Sequence, residues 1–392
     1  MPRLVLVNPY SAGSHALWER GLEEHLPKYG ERPEEVWSVE VVSLPGRHWK
    51  WRMHAAGWTL VQRMKESGQL EQSVDVFLVT DMLDVGQFRA ALPAEHRSTP
   101  IALYFHENQL TFPDHPERPP LEWDRHYAFL NLTSALLADA VWFNSEYHRS
   151  VFLDAIPDFL RQLPSPRPVQ PHLAIERKAK VLPIGLGPDC FRSEGQGSRF
   201  DEGPPVIAWN HRWEHDKGPQ AFLDVLKVAR DQGGRFRLCV LGQSFEGCPA
   251  AFDALRSEFE DDIVHWGFAA SRSDYLDLLA SCDIALVTAH HDFYGISVLE
   301  SAACGLHIVA PAELAYPDHF PKESLHERTD LANGLMMALE GEKKRVWKDA
   351  AARLLWSQVT PAWYKAVNEA RKGDKLSALL IFSKVHLSTA SR

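Results

Sequence analysis

Long hydrophobic runs and paired cysteines are both missing from this 392-residue sequence. No segment approaches the roughly 20 consecutive apolar residues that a membrane-spanning helix needs. The start, MPRLVLVNPY, also lacks the pattern of a signal peptide. The five cysteines are odd in number and include no CxxC pair, so neither a disulfide framework nor a zinc site is indicated. We therefore expect a soluble, cytoplasmic protein without a membrane partner.

Several cofactor motifs are absent as well. No GxGxxG follows a strand-like segment, which argues against a nicotinamide dehydrogenase. Neither GxxxxGKS nor GxxxxGKT occurs, and this absence excludes an ordinary P-loop. No HExxH or DxD arrangement occurs, and HHD at His290 to Asp292 has only a weak metal-like spacing. We predict no bound metal and no cofactor.

The charge of the chain is unevenly distributed. The net charge of −10 gives no general attraction to nucleic acid. Between Lys343 and Arg392, however, eleven Lys and Arg residues oppose three Asp and Glu residues. This C-terminal excess is either a solvated helical surface or a patch that contacts phosphates.

Apolar, β-branched runs alternate with helical patterns along the whole chain, which predicts an α/β, doubly wound fold. A polar, glycine-rich stretch at 193–205 is typical of a linker, so we predict domains at 1–190 and 200–360 and a helical tail at 361–392 that packs back on the first domain. Ligands of such sheets bind beyond the carboxyl ends of the strands. The predicted strands are Leu4–Val7, Val74–Thr80, Ile101–Glu107, Ala140–Glu146, Pro205–Asn210, Phe236–Gly242, Asp262–Gly267, Asp283–Ala289 and Leu306–Pro311.

The segment HDFYGISVLESAACG places two acids at a predicted strand, loop and helix junction. The amides of Gly295, Ile296 and Ser297 would open the helix, where its positive end can bind a phosphate. Glu300, one turn further on, can accept hydrogen bonds from a ribose, and Asp292 can accept them from another polyol. A nucleotide diphosphate that carries a sugar offers all three groups. The alternative is a helix-capping Asp and a surface Glu.

Other strand ends carry groups that suit the same ligand. Arg212 and Lys217 in HRWEHDKGP could hold a diphosphate leaving group and stabilise its charge without a metal. His106 in YFHENQ can donate to a sugar hydroxyl, and Gly13 follows the first strand in NPYSAGSH. Taken singly, Arg212 and Lys217 could instead be solvated side chains in a loop. His106 alone could instead have a structural role.

These residues resemble a known family. Asp292 to Glu300 resembles the E-x7-E signature of retaining GT-B glycosyltransferases of family 4, and Arg212 with Lys217 resembles that family's diphosphate-binding pair. Longer blocks between about residues 3 and 320 resemble the tRNA-queuosine α-mannosyltransferases, the glycosyltransferase-like domain-containing group. These blocks are NPYSAGSH, LPGRHWKWRMH, VTDMLD, YFHENQLTFP, FNSEYHRSVF, NHRWEHDKGP and HWGFAASRSDY.

The resemblance implies a GT-B fold and transfer of mannose from GDP-mannose to the cyclopentene-diol of queuosine in the anticodon of tRNA-Asp, with retention. It implies that Arg212 and Lys217 bind the diphosphate, with amides from residues 295–297 and a close approach at Gly13. Glu300 would hold the ribose, and His106 would lie near the transferred sugar. Asp292 would contact the mannose, although the family has Glu there, one methylene longer.

The acceptor is less well defined by the sequence than the donor. In LPGRHWKWRMH, three cations are interleaved with Trp49 and Trp51, which suits an unstacked anticodon base and its phosphates. The alternative is a helix that buries both tryptophans. Other functions consistent with the sequence are a family 4 enzyme with a small-molecule or lipid-linked acceptor, a non-catalytic RNA-binding protein, and a sugar-nucleotide epimerase or phosphorylase.

Overall fold

A computed structural model describes residues 1–30, 32, 34–113, 124–191, 200, 203–244, 248–341 and 346–373. Strands and helices alternate through almost all of this length. In the first part they are β1 (Arg3–Ser11), α1 (Gly13–His25), β2 (Ser38–Pro45), α2 (Trp49–Glu66), β3 (Val76–Thr80), α3 (Val85–Ala91), β4 (Ile101–Phe105), α4 (Asp124–Leu137), β5 (Ala140–Phe143), α5 (Glu146–Arg161), α6 (Pro171–Glu176) and β6 (Ala179–Val181). In the second part they are β7 (Val206–Asn210), α7 (Pro219–Asp231), β8 (Arg237–Leu241), α8 (Ala251–Glu258), β9 (Ile263–Gly267), α9 (Arg272–Ala280), β10 (Ile284–Leu286), α10 (Ile296–Ala303), β11 (His307–Val309), α11 (Tyr316–His319), α12 (Leu331–Glu340), α13 (Val346–Ala352) and α14 (Trp356–Lys372).

The strands form two separate parallel sheets. The first has six strands in the order β2-β1-β3-β4-β5-β6, and the second has five in the order β11-β10-β7-β8-β9. Every pair of neighbouring strands is parallel. In each sheet the strand order reverses direction beside the first strand, as in doubly wound folds. The predicted α/β class with two Rossmann-like halves is confirmed.

Burial on both faces explains why most strands could be recognised from their sequences. Each residue of β3, β4 and β7 is buried, because helices cover both sides of each sheet. The edge strand β2 is different, since most of its residues are only half-buried and polar residues interrupt its apolar ones. Because it lacks a continuous apolar run, β2 was not predicted from the sequence.

The C-terminal helix α14 packs against the first domain, not the second. The chain crosses between the domains where the Leu186 amide donates to the Leu354 carbonyl at 2.7 Å. The ring of Trp356 then lies over two glycines, and a Cβ at Gly21 or Gly185 would lie 2.0 or 2.3 Å from that ring. The indole of Trp363 donates to the carbonyl of Pro183 at 2.9 Å. The first domain therefore includes a helix from the far end of the described chain.

Two of the predicted segments lie largely outside the described residues. Most of the predicted linker falls in 192–199 and 201–202, and much of the basic C-terminal stretch falls in 342–345 and 374–392. At the end of α14, Arg371 pairs with Asp75 at 2.9 Å. Among the residues described above, no helix is both long enough and apolar enough to span a bilayer.

Candidate active site

The loop between β10 and α10 lies at the contact between the two domains. The Ser145 hydroxyl, at the end of β5, donates to the carbonyl of Phe293 at 2.6 Å. The His148 ring stacks on the Phe293 ring with 4.0 Å between centroids, and Phe112 meets His291 edge-on at 4.9 Å. The carboxyl ends of the two sheets therefore face each other around this loop, as the sequence predicts for a ligand site.

Asp292 organises the entry to α10. Its Oδ1 accepts from the Gly295 amide at 2.9 Å, and its Oδ2 accepts from the Tyr316 hydroxyl at 3.3 Å. Gly295 has φ +76°, and a Cβ there would lie 3.0 Å from the Tyr316 ring, so this position favours glycine. Although burial alone raises the pKa of Asp292, Lys217 and the amide of Gly295 hold it below its usual value. Asp292 is therefore a charged residue that closes the turn leading into α10.

The Asp292 contact changes one predicted role. Of the three amides expected to bind a phosphate, that of Gly295 already donates to Asp292. The amides of Ile296 and Ser297 follow in the first turn of α10. The Ser297 side chain lies 3.4 Å from Nδ1 of His211, at the end of β7. Of the three amides, those of residues 296 and 297 are therefore not used by this contact with Asp292.

Lys217 is a largely buried cation beside Asp292. Its Nζ donates to the carbonyl of His291 at 2.8 Å and lies 3.1 Å from Oδ2 of Asp216 and 4.0 Å from Oδ2 of Asp292. Burial alone would lower the pKa of Lys217, but the two aspartates outweigh burial and raise it. The ammonium is therefore charged and fixed in position.

The loop that carries Lys217 is held by a glycine. Gly218 has φ +67°, and a Cβ there would lie 2.2 Å from the carbonyl oxygen of Thr288. The Thr288 hydroxyl also donates to the Gly218 carbonyl at 3.0 Å. The end of β7 is thereby fixed against the end of β10, which brings the predicted cation to the predicted acid.

Arg212 lies at the edge of the site and faces the first domain. Its side chain is 52% exposed and pairs with Glu214 at 2.9 Å. Burial raises the pKa of Glu107, at the end of β4, and Arg212 is the main opposing cation. Burial raises the pKa of Tyr10, in the first domain, and Arg212 offsets only part of this rise. The guanidinium is therefore a partly exposed cation between the domains, paired with Glu214.

Glu300 is buried, with 4% of its surface exposed, so the alternative of a surface Glu is wrong. Its Oε1 accepts from Nη1 of Arg272 at 2.5 Å, and its Oε2 accepts from the Tyr275 hydroxyl at 2.6 Å. The Asn210 amide in turn donates to the Tyr275 hydroxyl at 2.8 Å. A ligand hydroxyl at Glu300 would share the carboxylate with these two partners.

On the first-domain side, His106 is buried in a group of rings. It stacks on His15 with 3.9 Å between centroids and meets Trp18 and Tyr104 edge-on. Burial lowers the pKa of His106 well below its usual value and that of His15 to about 3, so both are neutral. Neither ring nitrogen of His106 has a hydrogen-bond partner among the described residues.

Gly13 opens α1 on the same side. It has φ +50°, and no atom lies within 4 Å of a Cβ built on it. Its conformation favours glycine, and its surroundings leave room for a ligand.

Sequence reasoning did not identify several polar partners of the site. Asp216 was overlooked within HRWEHDKGP, and Arg272 with Tyr275 lie inside a block quoted only for its resemblance. Tyr316 comes from a separate helix, α11. Within the part of the chain that the structure describes, no group of three or more His, Cys, Asp or Glu residues is arranged to hold a metal ion.

Two parallel-sheet domains, with a helix start and fixed cation between them, define a GT-B glycosyltransferase. The N-terminal domain of Candida albicans trehalose-6-phosphate phosphatase is similar, with TM-score 0.67 at 14% identity, over 94% of this chain and 97% of that one. HepE from Anabaena in complex with UDP is similar with TM-score 0.64 at 16% identity, over 94% and 100%. Residues 192–353 match the family model of glycosyl transferases group 1.

The first domain identifies the family. Residues 3–186 match the family model of the tRNA-queuosine alpha-mannosyltransferase N-terminal region. The tRNA-queuosine alpha-mannosyltransferase of Drosophila melanogaster is 30% identical over 336 residues, which are 84% of this chain and 84% of that protein. The chain belongs to the tRNA-queuosine alpha-mannosyltransferase family.

Proposed function

We propose that the protein transfers mannose from GDP-mannose to the cyclopentene-diol of queuosine in the anticodon of tRNA-Asp, with retention of the anomeric configuration. Its membership of a family named for queuosine in tRNA supports the acceptor. The proposal includes a cytoplasmic location, where tRNA and sugar nucleotides meet, and a reaction that needs no metal.

The observation that carries the proposal is the position of Lys217 at the start of α10. Its ammonium is held by the His291 carbonyl and Asp216, so it does not have to be ordered when a ligand binds. The amides of residues 296 and 297 and the positive end of the helix lie on the same loop. Such a fixed set of donors stabilises the charge that grows on a departing diphosphate.

The proposed reaction is a front-face displacement. The bond from the anomeric carbon to the diphosphate oxygen breaks, and a bond from that carbon to the acceptor hydroxyl forms on the same face. The proton of this hydroxyl moves to the departing phosphate oxygen. Arg212, which is partly exposed between the domains, would contact the diphosphate and share its charge with Lys217. The enzyme contributes position and charge stabilisation.

Other side chains would position the sugar and the nucleotide. Asp292 keeps lone pairs for a mannose hydroxyl beyond those used by Gly295 and Tyr316. A neutral His106 has two free ring nitrogens in the described structure and can donate one hydrogen bond to the same sugar. Glu300, shared with Arg272 and Tyr275, would accept from the ribose.

The test uses the purified protein with several sugar nucleotides and with tRNA that carries or lacks queuosine. Mass spectrometry of the nucleosides then reports donor and acceptor together, and a parallel reaction with EDTA tests the metal. We expect one hexose to be added to queuosine from GDP-mannose, with or without the chelator. Transfer to a lipid or free glycoside, without any modified nucleoside, would refute the proposed acceptor.

A further inference from the structure

Helix α2 presents two exposed tryptophans to solvent. Trp51 is 64% and Trp58 is 62% exposed, whereas every other tryptophan in the described residues is buried or half-buried. They are seven residues apart, which places them on one face of the helix about 10 Å from each other. His54 lies between them on that face, and its ring stacks on His126 with 5.2 Å between centroids. We call Trp51, His54 and Trp58 the α2 ring face.

The α2 ring face answers the question left open by the sequence. Trp49 is half-buried and packs on Tyr127 at 5.2 Å, as a structural tryptophan would. Trp51, two residues later, points away from the core. A single exposed ring is common on protein surfaces, but exposed apolar groups that share one face often mark an interaction site, and Trp51 shares its face with Trp58. Only one of the two tryptophans in LPGRHWKWRMH therefore has a packing role.

The segment that carries these rings is basic in an otherwise acidic protein. Between Arg47 and Lys65 the sequence has five Lys and Arg residues and no Asp or Glu. Arg47 is exposed, and Lys50 lies 5.5 Å from the centre of the Trp49 ring. The buried Nε of Arg52 has no hydrogen-bond partner among the described residues. Positive charge beside open rings is complementary to nucleic acid, whose phosphates are anionic and whose bases stack.

The backbone beneath the rings is fixed. The Gln87 side chain donates to the His54 carbonyl at 2.7 Å and accepts from the Trp58 amide at 3.1 Å. In a regular α-helix the Trp58 amide would donate to the His54 carbonyl, so Gln87 binds both ends of one helical hydrogen bond. Gly57 makes this contact possible, because a Cβ there would lie 3.0 Å from Oε1 of Gln87. The exposed rings therefore stand on a rigid support, which lowers the entropic cost of binding.

The start of α2 lies on the rim of the candidate active site. A Cβ at Gly46, just before the helix, would lie 2.2 Å from Cβ of Ala12 and 3.2 Å from the Tyr10 ring, in the loop that leads to Gly13. Tyr10 and Trp49 also pack against the same small cluster of buried side chains. Tyr10 in turn lies within the electrostatic reach of Arg212. The α2 ring face, which begins at the third residue of α2, therefore starts close to the rim of the site.

We infer that the α2 ring face binds the unpaired bases of the tRNA anticodon loop while the modified base lies at the donor sugar. This inference rests on the proposed function, since it takes tRNA as the acceptor. Two stacking rings about 10 Å apart fit a short unpaired segment, and the cations contact its phosphates. Single-stranded RNA is commonly recognised by such splayed, stacked bases.

The experiment compares tRNA binding by wild type, Trp51→Ala, Trp58→Ala and the control Met337→Ala, which removes a 69% exposed side chain of α12. Unmodified tRNA is the probe, so that binding is measured without turnover. Each tryptophan variant is expected to bind about 5- to 100-fold more weakly, the range for loss of one stacked base. Met337→Ala is expected to bind as wild type does.

A salt titration separates stacking from charge. Arg47→Ala is expected to reduce the slope of log affinity against log salt by about 1, whereas the tryptophan variants leave the slope unchanged. GDP affinity is the readout for the donor site, and all four variants should retain it. If both tryptophan variants bind tRNA as wild type does and still transfer mannose, the inference is wrong and the proposed function stands. If the wild type neither binds nor modifies tRNA, both fail.

Discussion

Replacing Lys217 by alanine tests the central element of the proposed site. Removal of one fixed donor to a developing negative charge typically lowers kcat by about 10²- to 10³-fold, or about 3 to 4 kcal/mol of transition-state stabilisation. Lys217 meets the conditions for such an effect, because its side chain is only 12% exposed and its ammonium is held at 2.8 Å by a carbonyl. We therefore expect a loss of at least 10²-fold.

The same change has a cost in stability. Without the ammonium, Asp216 and Asp292 face each other with no cation between them. Removing one partner of a buried ion pair costs about 3 to 5 kcal/mol. A substitution in a loop is usually expected to leave the fold intact. For Lys217 we instead expect a loss of stability. Activity has to be measured on protein whose unfolding free energy is known.

A matched control is available in the first domain. Lys178 is another lysine with a buried ammonium, which donates to the Leu136 carbonyl at 2.8 Å, and burial lowers its pKa to about 8. Lys178→Ala should also lower the stability of the fold but should leave kcat unchanged.

The assay is single-turnover transfer to queuosine-containing tRNA, followed by mass spectrometry, with urea unfolding of each variant. If folded Lys217→Ala keeps kcat within about threefold of wild type and only KM rises, the cation binds the ground state and the transition state equally. The proposed role in leaving-group stabilisation would then be wrong.

Three further predictions concern the donor, the loop and pH. Glu300→Gln should raise the KM for the sugar nucleotide about 10-fold or more, because a charged acceptor is lost, and calorimetry with GDP should show the same loss. Gly218→Ala should lower the unfolding free energy in urea by about 2 to 5 kcal/mol through a clash and a left-handed φ; Gly233→Ala, at φ +89° with open space around it, should show only the φ cost of about 1 to 2 kcal/mol. His15 has a folded pKa of about 3, so below pH 6.5 the unfolded chain takes up a proton that the folded chain does not. Stability should then fall with decreasing pH by up to about 1.4 kcal/mol per unit, and His15→Phe should remove this part of the slope in urea titrations at pH 4 to 7; an unchanged slope would contradict the buried, neutral state.

Two-sided burial made the central strands predictable, whereas of the edge strands β9 was predicted and β2 and β6 were not. Continuous apolar runs identified β3, β4 and β7 within two residues at each end. The edge strand β2 has water on part of its surface, so its sequence carries no such run. Gly305 was predicted as the C-terminal stop of the helix that follows Asp292, and its φ of +99° just beyond the end of α10 agrees with that role.

The parts of the candidate site that are built from residues close together in the sequence were predictable. The Asp292 to Glu300 segment does form a loop and helix start, and Lys217 does come to the acid. Local pattern could not show that Glu300 is buried, because its partners Arg272 and Tyr275 belong to α9. The Gly295 N–H was predicted to bind a phosphate, but in the folded loop it donates to Asp292. The sequence alone could not show that Asp292 uses this amide.

The charge around the proposed reaction centre is separated between the two domains. On the diphosphate side, Lys217 remains protonated because two aspartates offset its burial. On the sugar side, burial keeps His106 neutral, and burial raises the pKa of Asp81, whose Oδ1 accepts from the His106 amide at 2.9 Å. A sugar that becomes cationic in the transition state would therefore meet neutral donors and acceptors on one side and its anionic leaving group on the other. In the proposed reaction, protonation of His106 would put a like charge against this sugar, so transfer should be favoured by the neutral ring.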